Sequence, residues 1–190
     1  MEICEKLNDV FELAQCFLDL AWSLRGDGQL DAAEEAAYQV INLLPEDQYL
    51  VFQCHYTLVN ICEPKGEMKK VAEHLKVALS IASSFNWHNE QFFIHCALAL
   101  HFGGERRFGN AQAQVEHARA HAVHSAYFLA RTTELQALLW WWQGRFEEAR
   151  SEALCAVDLL QKIGAIQDLE ICRDLITRID ARMRSPGHSR

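Results

Sequence analysis

The sequence predicts an all-α fold, a right-handed α-solenoid of about four helical hairpins closed by a C-terminal capping helix. Three observations predict it. Four segments repeat one pattern at a spacing of about 38 to 40 residues, the range of helical repeat arrays. Small residues recur at two further fixed offsets from each segment. The apolar residues between turns follow the helical period, and no stretch alternates as a half-buried strand does.

The repeated segments are Asp27 to Ala33, Lys65 to Val71, Glu105 to Ala111 and Gln143 to Ala149. Each carries a turn, one large apolar residue (Leu30, Met68, Phe108, Phe146) and a small residue three positions later (Ala33, Val71, Ala111, Ala149). Seven residues further on stand Val40, Ala78, Ala118 and Ala156, and twelve residues earlier stand Ala21, Val59, Ala99 and Ala137. Small side chains at fixed places let two helices cross at the close end of the usual ~8 to 10 Å interaxial range. Each unit therefore reads as helix A, a short turn and helix B.

The periodicity predicts helices over about 10–25, 30–43, 47–63, 67–83, 88–103, 108–122, 126–142, 146–162 and 166–184. Residues 1–184 read as one repeat domain with hairpins at about 10–45, 47–84, 88–123 and 126–163. The lone helix over about 166–184 is the cap that a solenoid needs over its last apolar face. Residues 185–190 read as a flexible tail.

This register resembles the tetratricopeptide repeat. The first unit shows the resemblance most clearly, with Leu20-Ala21, Leu24, Gly28, Leu30, Ala33, Val40 and a closing Pro45. There are departures. The period is longer than the family's, and Phe17, His55, His95 and Thr133 stand where its helix A often opens with Trp. Arg106 replaces the turn glycine of the third unit, and Gln136 replaces the helix-A leucine of the fourth. The long period, with Ala82-Ser83-Ser84-Phe85-Asn86-Trp87-His88 between the second and third units, resembles the C-terminal sensor arrays of STAND-type ATPases. Such arrays follow the nucleotide-binding modules of fungal NACHT-like proteins and of bacterial maltose-operon activators. The resemblance implies an array that senses a ligand or partner and restrains an ATPase. There is no G-x-x-x-x-G-K-[ST] loop in the sequence, so that ATPase would lie outside it. Glu5 to Asp9 matches Gln161 to Ala165, so residues 1–8 read as the last turn of a helix B. The expectation is that the chain starts inside a repeat as a fragment of a larger protein. It would then leave an uncapped apolar end around Phe11 and Leu13 that can self-associate.

Half the residues are hydrophobic and the formal net charge is −8, which argues against a general nucleic-acid binder. No stretch approaches a membrane span or a secretory signal. Seven cysteines, an odd number with no C-x-x-C pair, fit a reducing compartment and place the protein in the cytoplasm.

The expected function is a protein-interaction scaffold or sensor array and not an enzyme, with a protein or peptide partner and no cofactor. The alternative is a small-molecule-sensing array, and a metal-dependent enzyme built on histidines is the less favoured third reading. In the tetratricopeptide family helix A lines the concave groove. On this register the groove positions are Gln15, Leu18 and Trp22, then Gln53, Tyr56 and Asn60, then Phe93, Cys96 and Leu100, then Arg131, Glu134 and Trp141. Trp22, Tyr56, Asn60, Phe93, Arg131, Glu134 and Trp141 are the candidate partner-binding residues, because aromatic rings with Arg make efficient hot spots. Asn60 matches one position of the family's carboxylate clamp, but Tyr56 stands where the clamp lysine should be, so chaperone-tail binding is not carried over. Trp140-Trp141-Trp142 cannot all be buried alike, since adjacent helical residues point about 100° apart. Trp140 is expected in the core and Trp141 in the groove or against the cap.

No metal is expected. The weak candidate is His117, His121 and His124, whose i, i+4, i+7 spacing puts them near one face of a helix end. The competing reading, which is preferred, is a polar helix face near the negative end of the dipole. Cys96 beside His95 has no group to orient it as a nucleophile.

Overall fold

The computed structural model describes residues 9–184, which hold nine α-helices and no strand. They form two compact units, one through Trp87 and one from His88. In the first unit, α1 (Val10–Gly26) and α2 (Leu30–Leu43) make one hairpin, and α3 (Gln48–Cys62) and α4 (Met68–Ser84) make another. In the second, α5 (His88–Gly104) pairs with α6 (Phe108–His121), α7 (Ala126–Trp142) pairs with α8 (Phe146–Ile163), and α9 (Ile166–Arg184) follows alone. Every helix end lies within one residue of the bound expected from periodicity. The expected helix remnant over residues 1–8 and the tail over 185–190 lie outside the described residues.

Local chemistry sets these ends. Asp9, Asp47 and Ser125 cap α1, α3 and α7, each accepting from a backbone N–H of the first turn at 3.0 to 3.2 Å, which satisfies donors that have no intrahelical partner. Each hairpin closes on the same turn. The N–H after the turn residue reaches back to the carbonyl five positions earlier: Gln29 to Leu24, Glu67 to Cys62, Arg107 to Phe102 and Arg145 to Trp140, at 2.8 to 3.1 Å. This is the Schellman arrangement, and it needs a left-handed residue. Gly28, Gly66 and Gly144 supply it in three hairpins, and Arg106 is forced to φ 60° in the fourth.

That last residue is exposed and strained for no visible return. A left-handed non-glycine costs about 1 to 2 kcal/mol, while the extra freedom of a glycine in the unfolded chain costs about 0.4 to 1 kcal/mol. Arg106→Gly should therefore raise stability by up to about 1 kcal/mol. A urea titration checks it, and a lowered midpoint would contradict the account.

The twelve small residues of the register are all buried, the most exposed being Val59 at 6%. They seat the helices on one another. In the first unit Ala21, Ala33, Ala36 and Ala37 pack with Leu58 and Ile61. In the second, Ala137, Ala149 and Ala153 pack with Leu175 and Ile179 of α9, so α9 covers the apolar faces of α7 and α8. No helix of the described residues is long and apolar enough to cross a membrane.

Candidate protein-binding faces

The expected groove residues are divided between the two units. In the first, Trp22 is 40% exposed on α1, with the Arg25 guanidinium 5.4 Å from its ring centre. Arg25 also donates to the Asn60 carbonyl on α3 at 3.0 Å, and the Tyr56 ring stacks on Phe52. Trp22, Tyr56 and Asn60 are thereby linked through Arg25 and α3. Asn60 spends its amide on the Tyr56 carbonyl of its own helix, at 2.8 Å. Leu18 is a core residue, 4% exposed, packed with Ala14, Val40 and Leu50. It does not line the face, because at its helical turn the side chain meets α2 and α3.

In the second unit α5 presents Phe93 at 41% and Leu100 at 40% exposure, with Cys96 between them. Phe93 rests edge-on against Phe92 and Phe128. Beside them is a recess of about 190 Å³ lined by Cys96, Leu100, Arg131, Glu134, Leu135 and Leu138. Arg131, a candidate partner-binding residue, already has partners within the chain: it is ion-paired with Glu134 one turn away and with Asp168 of α9 at 3.3 Å. The cause is burial, since an unpaired charge there would be costly. Burial raises the carboxyl pKa of Glu134, with Arg131 opposing the rise. Burial also pushes the Cys96 thiol up to about 12, so it is no thiolate nucleophile.

Of the three tryptophans, Trp140 departs from the expectation and Trp141 takes the second of the two places expected for it. All are half-buried. Trp140 is not a core residue; it packs at the rim of the α7–α8–α9 cluster with Arg145 5.0 Å over its ring. Trp141 packs on the same cluster beneath Arg178, 5.6 Å away, so it lies against the capping helix. Trp142 presses on Gly103, where a Cβ would come within 2.4 Å of the indole. A glycine in α5 is what admits that ring.

Of the histidine triad, His124 lies beyond the end of α6 and is exposed, because the helix stops at His121. The triad is therefore not gathered on one helix face. His117 and His121 stack instead on His95 of α5, at 5.1 and 5.9 Å between ring centres, and His88 meets His121 at 5.6 Å. Among the described residues no three histidines bring ring nitrogens within 4.8 Å of one another. His95 bonds Gln114 at 2.8 Å through Nδ1. Its first-unit counterpart His55 meets His74 Nδ1 to Nδ1 at 3.0 Å, so one proton serves both rings. His74 Nε2 is buried without a partner. A bare acceptor is more tolerable there than an orphaned N–H, which assigns the shared proton to His74 Nδ1. Burial lowers both pKa values, that of His55 to about 4.

Sequence reasoning missed one cluster. Glu34, Cys62 and Glu67 bring ligand atoms within 4.8 Å of one another, but two cations of the chain already stand there. Lys65 lies 2.5 Å from Glu34, and Lys70 lies 2.9 Å from both Glu34 and Glu67. Burial, with Glu34 and Glu67 nearby, lifts the Cys62 thiol to about 11. The cluster ties α2 to the second hairpin of its unit. The alternation of Glu and Lys at these positions was the available signal, but pairing across 31 and 36 residues is not visible without the fold.

No family model matches the sequence, and no curated protein matches it. The solved structure of BtubC (BKLC) from P. vanneervenii is similar over 100% of this chain and 91% of that one, with a TM-score of 0.71 and 20% identity. At that identity the likeness concerns the fold, an all-helical array.

Proposed function

We propose that the chain is a protein-interaction scaffold of tetratricopeptide type, which takes a segment of a partner protein on the α5 and α7 face of its second unit. The observation that carries this is the pairing of two exposed large apolar side chains, Phe93 and Leu100, with the recess beside them. Exposed aromatic residues next to a pocket have the make-up of interaction hot spots. The net charge of −8 supports a protein partner over a nucleic acid. Free cysteines, several of them buried, support the cytoplasm. A thiol as basic as that of Cys96 supports a binding role over catalysis. The long period supports a sensor array of a larger signalling ATPase.

Phe93→Ala and Leu100→Ala should each weaken partner capture by about 1 to 3 kcal/mol with the thermal midpoint retained. Glu116→Ala, on α6 away from that face, should leave capture unchanged. Affinity capture from the source cells with quantitative mass spectrometry checks both. Loss of capture on Glu116→Ala alone would move binding elsewhere.

A second reading, small-molecule sensing, has one observation of its own. A groove of about 520 Å³ along α6, α7 and the start of α8 is lined by Gln112, Gln136, Trp140, Arg119 and Glu152 among others, within the roughly 300 to 1,000 Å³ of ligand sites. Its floor is Gln136, 3% exposed, bonded amide to amide with Gln112 at 2.8 and 2.9 Å.

A further inference from the structure

The recess on α5 and α7 combines a small volume with an unbalanced charge. At about 190 Å³ it falls below the roughly 300 Å³ where small-molecule sites begin, so it suits one inserted side chain. Its walls, Leu100, Leu135 and Leu138, are aliphatic. Arg131 and Glu134 form its polar end, and the same guanidinium is also held by Asp168 of α9, which stands behind the lining. The carboxylate side chains are only 13% and 21% exposed, so water screens the surplus negative charge weakly.

The geometry points to an anchor pocket for a basic side chain: the partner segment is apolar and carries a Lys or Arg whose stem lies between Leu100 and Leu138 and whose charge meets Glu134, while Asp168 keeps its hold on Arg131. This rests on the proposed function and narrows it to a partner class. Charge complementarity carries the choice. An entering cation turns one positive and two negative groups into two of each, whereas an acidic segment would add a third negative group to a poorly solvated site. A long basic side chain has an aliphatic stem for the leucines and a charged head for the carboxylates. Burial holds the Glu134 carboxyl above its usual range despite Arg131, as expected of a carboxylate that one shared guanidinium leaves under-compensated. The Tyr127 hydroxyl also bonds Asp168 and brings no charge of its own to the cluster.

The test uses the full chain and three short helical peptides of leucine, alanine and glutamine. They differ only at a central residue, which is lysine, norleucine or glutamate. Calorimetric titration should show the lysine peptide binding roughly tenfold tighter than the norleucine peptide, about 1.4 kcal/mol, and the glutamate peptide weakest. Glu134→Gln and Asp168→Asn should each shrink the lysine preference without changing norleucine affinity, and added salt should shrink it as well. Equal binding of the lysine and norleucine peptides to the unmodified chain overturns the proposal, whatever the variants do. So does failure of all three to bind, or sedimentation showing that a second copy of the chain fills the recess. Partner capture lost on Phe93→Ala would still stand as support for the broader reading in those cases. If capture and peptide binding both survive Phe93→Ala and Leu100→Ala, the broader reading fails instead.

Discussion

Ala149→Trp should cost about 3 kcal/mol or more, the upper end of the scale for overpacking a core. Ala149 has no exposed surface and sits among Ala137, Ala153, Leu175 and Ile179. An indole there has no room unless α8 moves away from α7 and α9. Native-like interiors respond to such an insertion as a unit because they are close-packed. Ala99→Trp should behave alike, since Ala99 packs in the cluster of Ala111, Val115, Leu135 and Leu139. Urea titration followed by circular dichroism measures both. Midpoints equal to that of the parent chain would mean that these alanines do not mark the helix crossings.

Mild acid should destabilise the fold well before carboxylates titrate. His55 and His74 share one proton at 3.0 Å, and burial, with His74 second, lowers the His55 pKa from 6.5 to about 4. Burial also lowers the pKa of His95 and His121. The unfolded chain takes up protons below about pH 6.5, whereas folded His55 resists until about pH 4. Stability is therefore fully present above pH 6.5 and falls as the pH drops from there toward 4. For His55 the shift corresponds to roughly 3 kcal/mol, which solvent at the half-buried ring reduces to about 2 kcal/mol. Unfolding free energies measured between pH 7.5 and 5 test this, a range above the ordinary carboxylate values of about 4. His55→Phe should flatten the slope. A flat profile for the parent chain over that range would show that the histidines do not carry the dependence.

The helices and their crossings were legible because they depend on local pattern. A small residue at a fixed offset, a turn glycine and an Asp or Ser cap each act within a few residues, and the helix ends followed from them. Even the departure at Arg106 proved informative: the turn keeps its left-handed residue although glycine is missing. The faces were less legible because they depend on what lies across a helix. Phe93 and Leu100 were placed outward and are exposed. Leu18, one turn before Trp22 on α1, was placed outward and is buried, because a 3.6-residue period does not say how wide the covered stripe is. The Glu134 partner of Arg131 stands three residues on and is visible in the sequence, but its second partner, Asp168, is 37 residues away on α9. The tryptophan triplet sorted by neighbours no local pattern encodes: a glycine on α5 for Trp142 and α9 for Trp141.

Site-specific photo-crosslinking tests most directly whether a partner protein binds the α5 and α7 face of the second unit, with a benzoylphenylalanine replacing Phe93, Leu100 or Glu116 in turn, in the source cells. The account predicts a discrete adduct with one and the same protein from positions 93 and 100, and none from 116. Adducts from position 116 with none from 93 or 100 would contradict it.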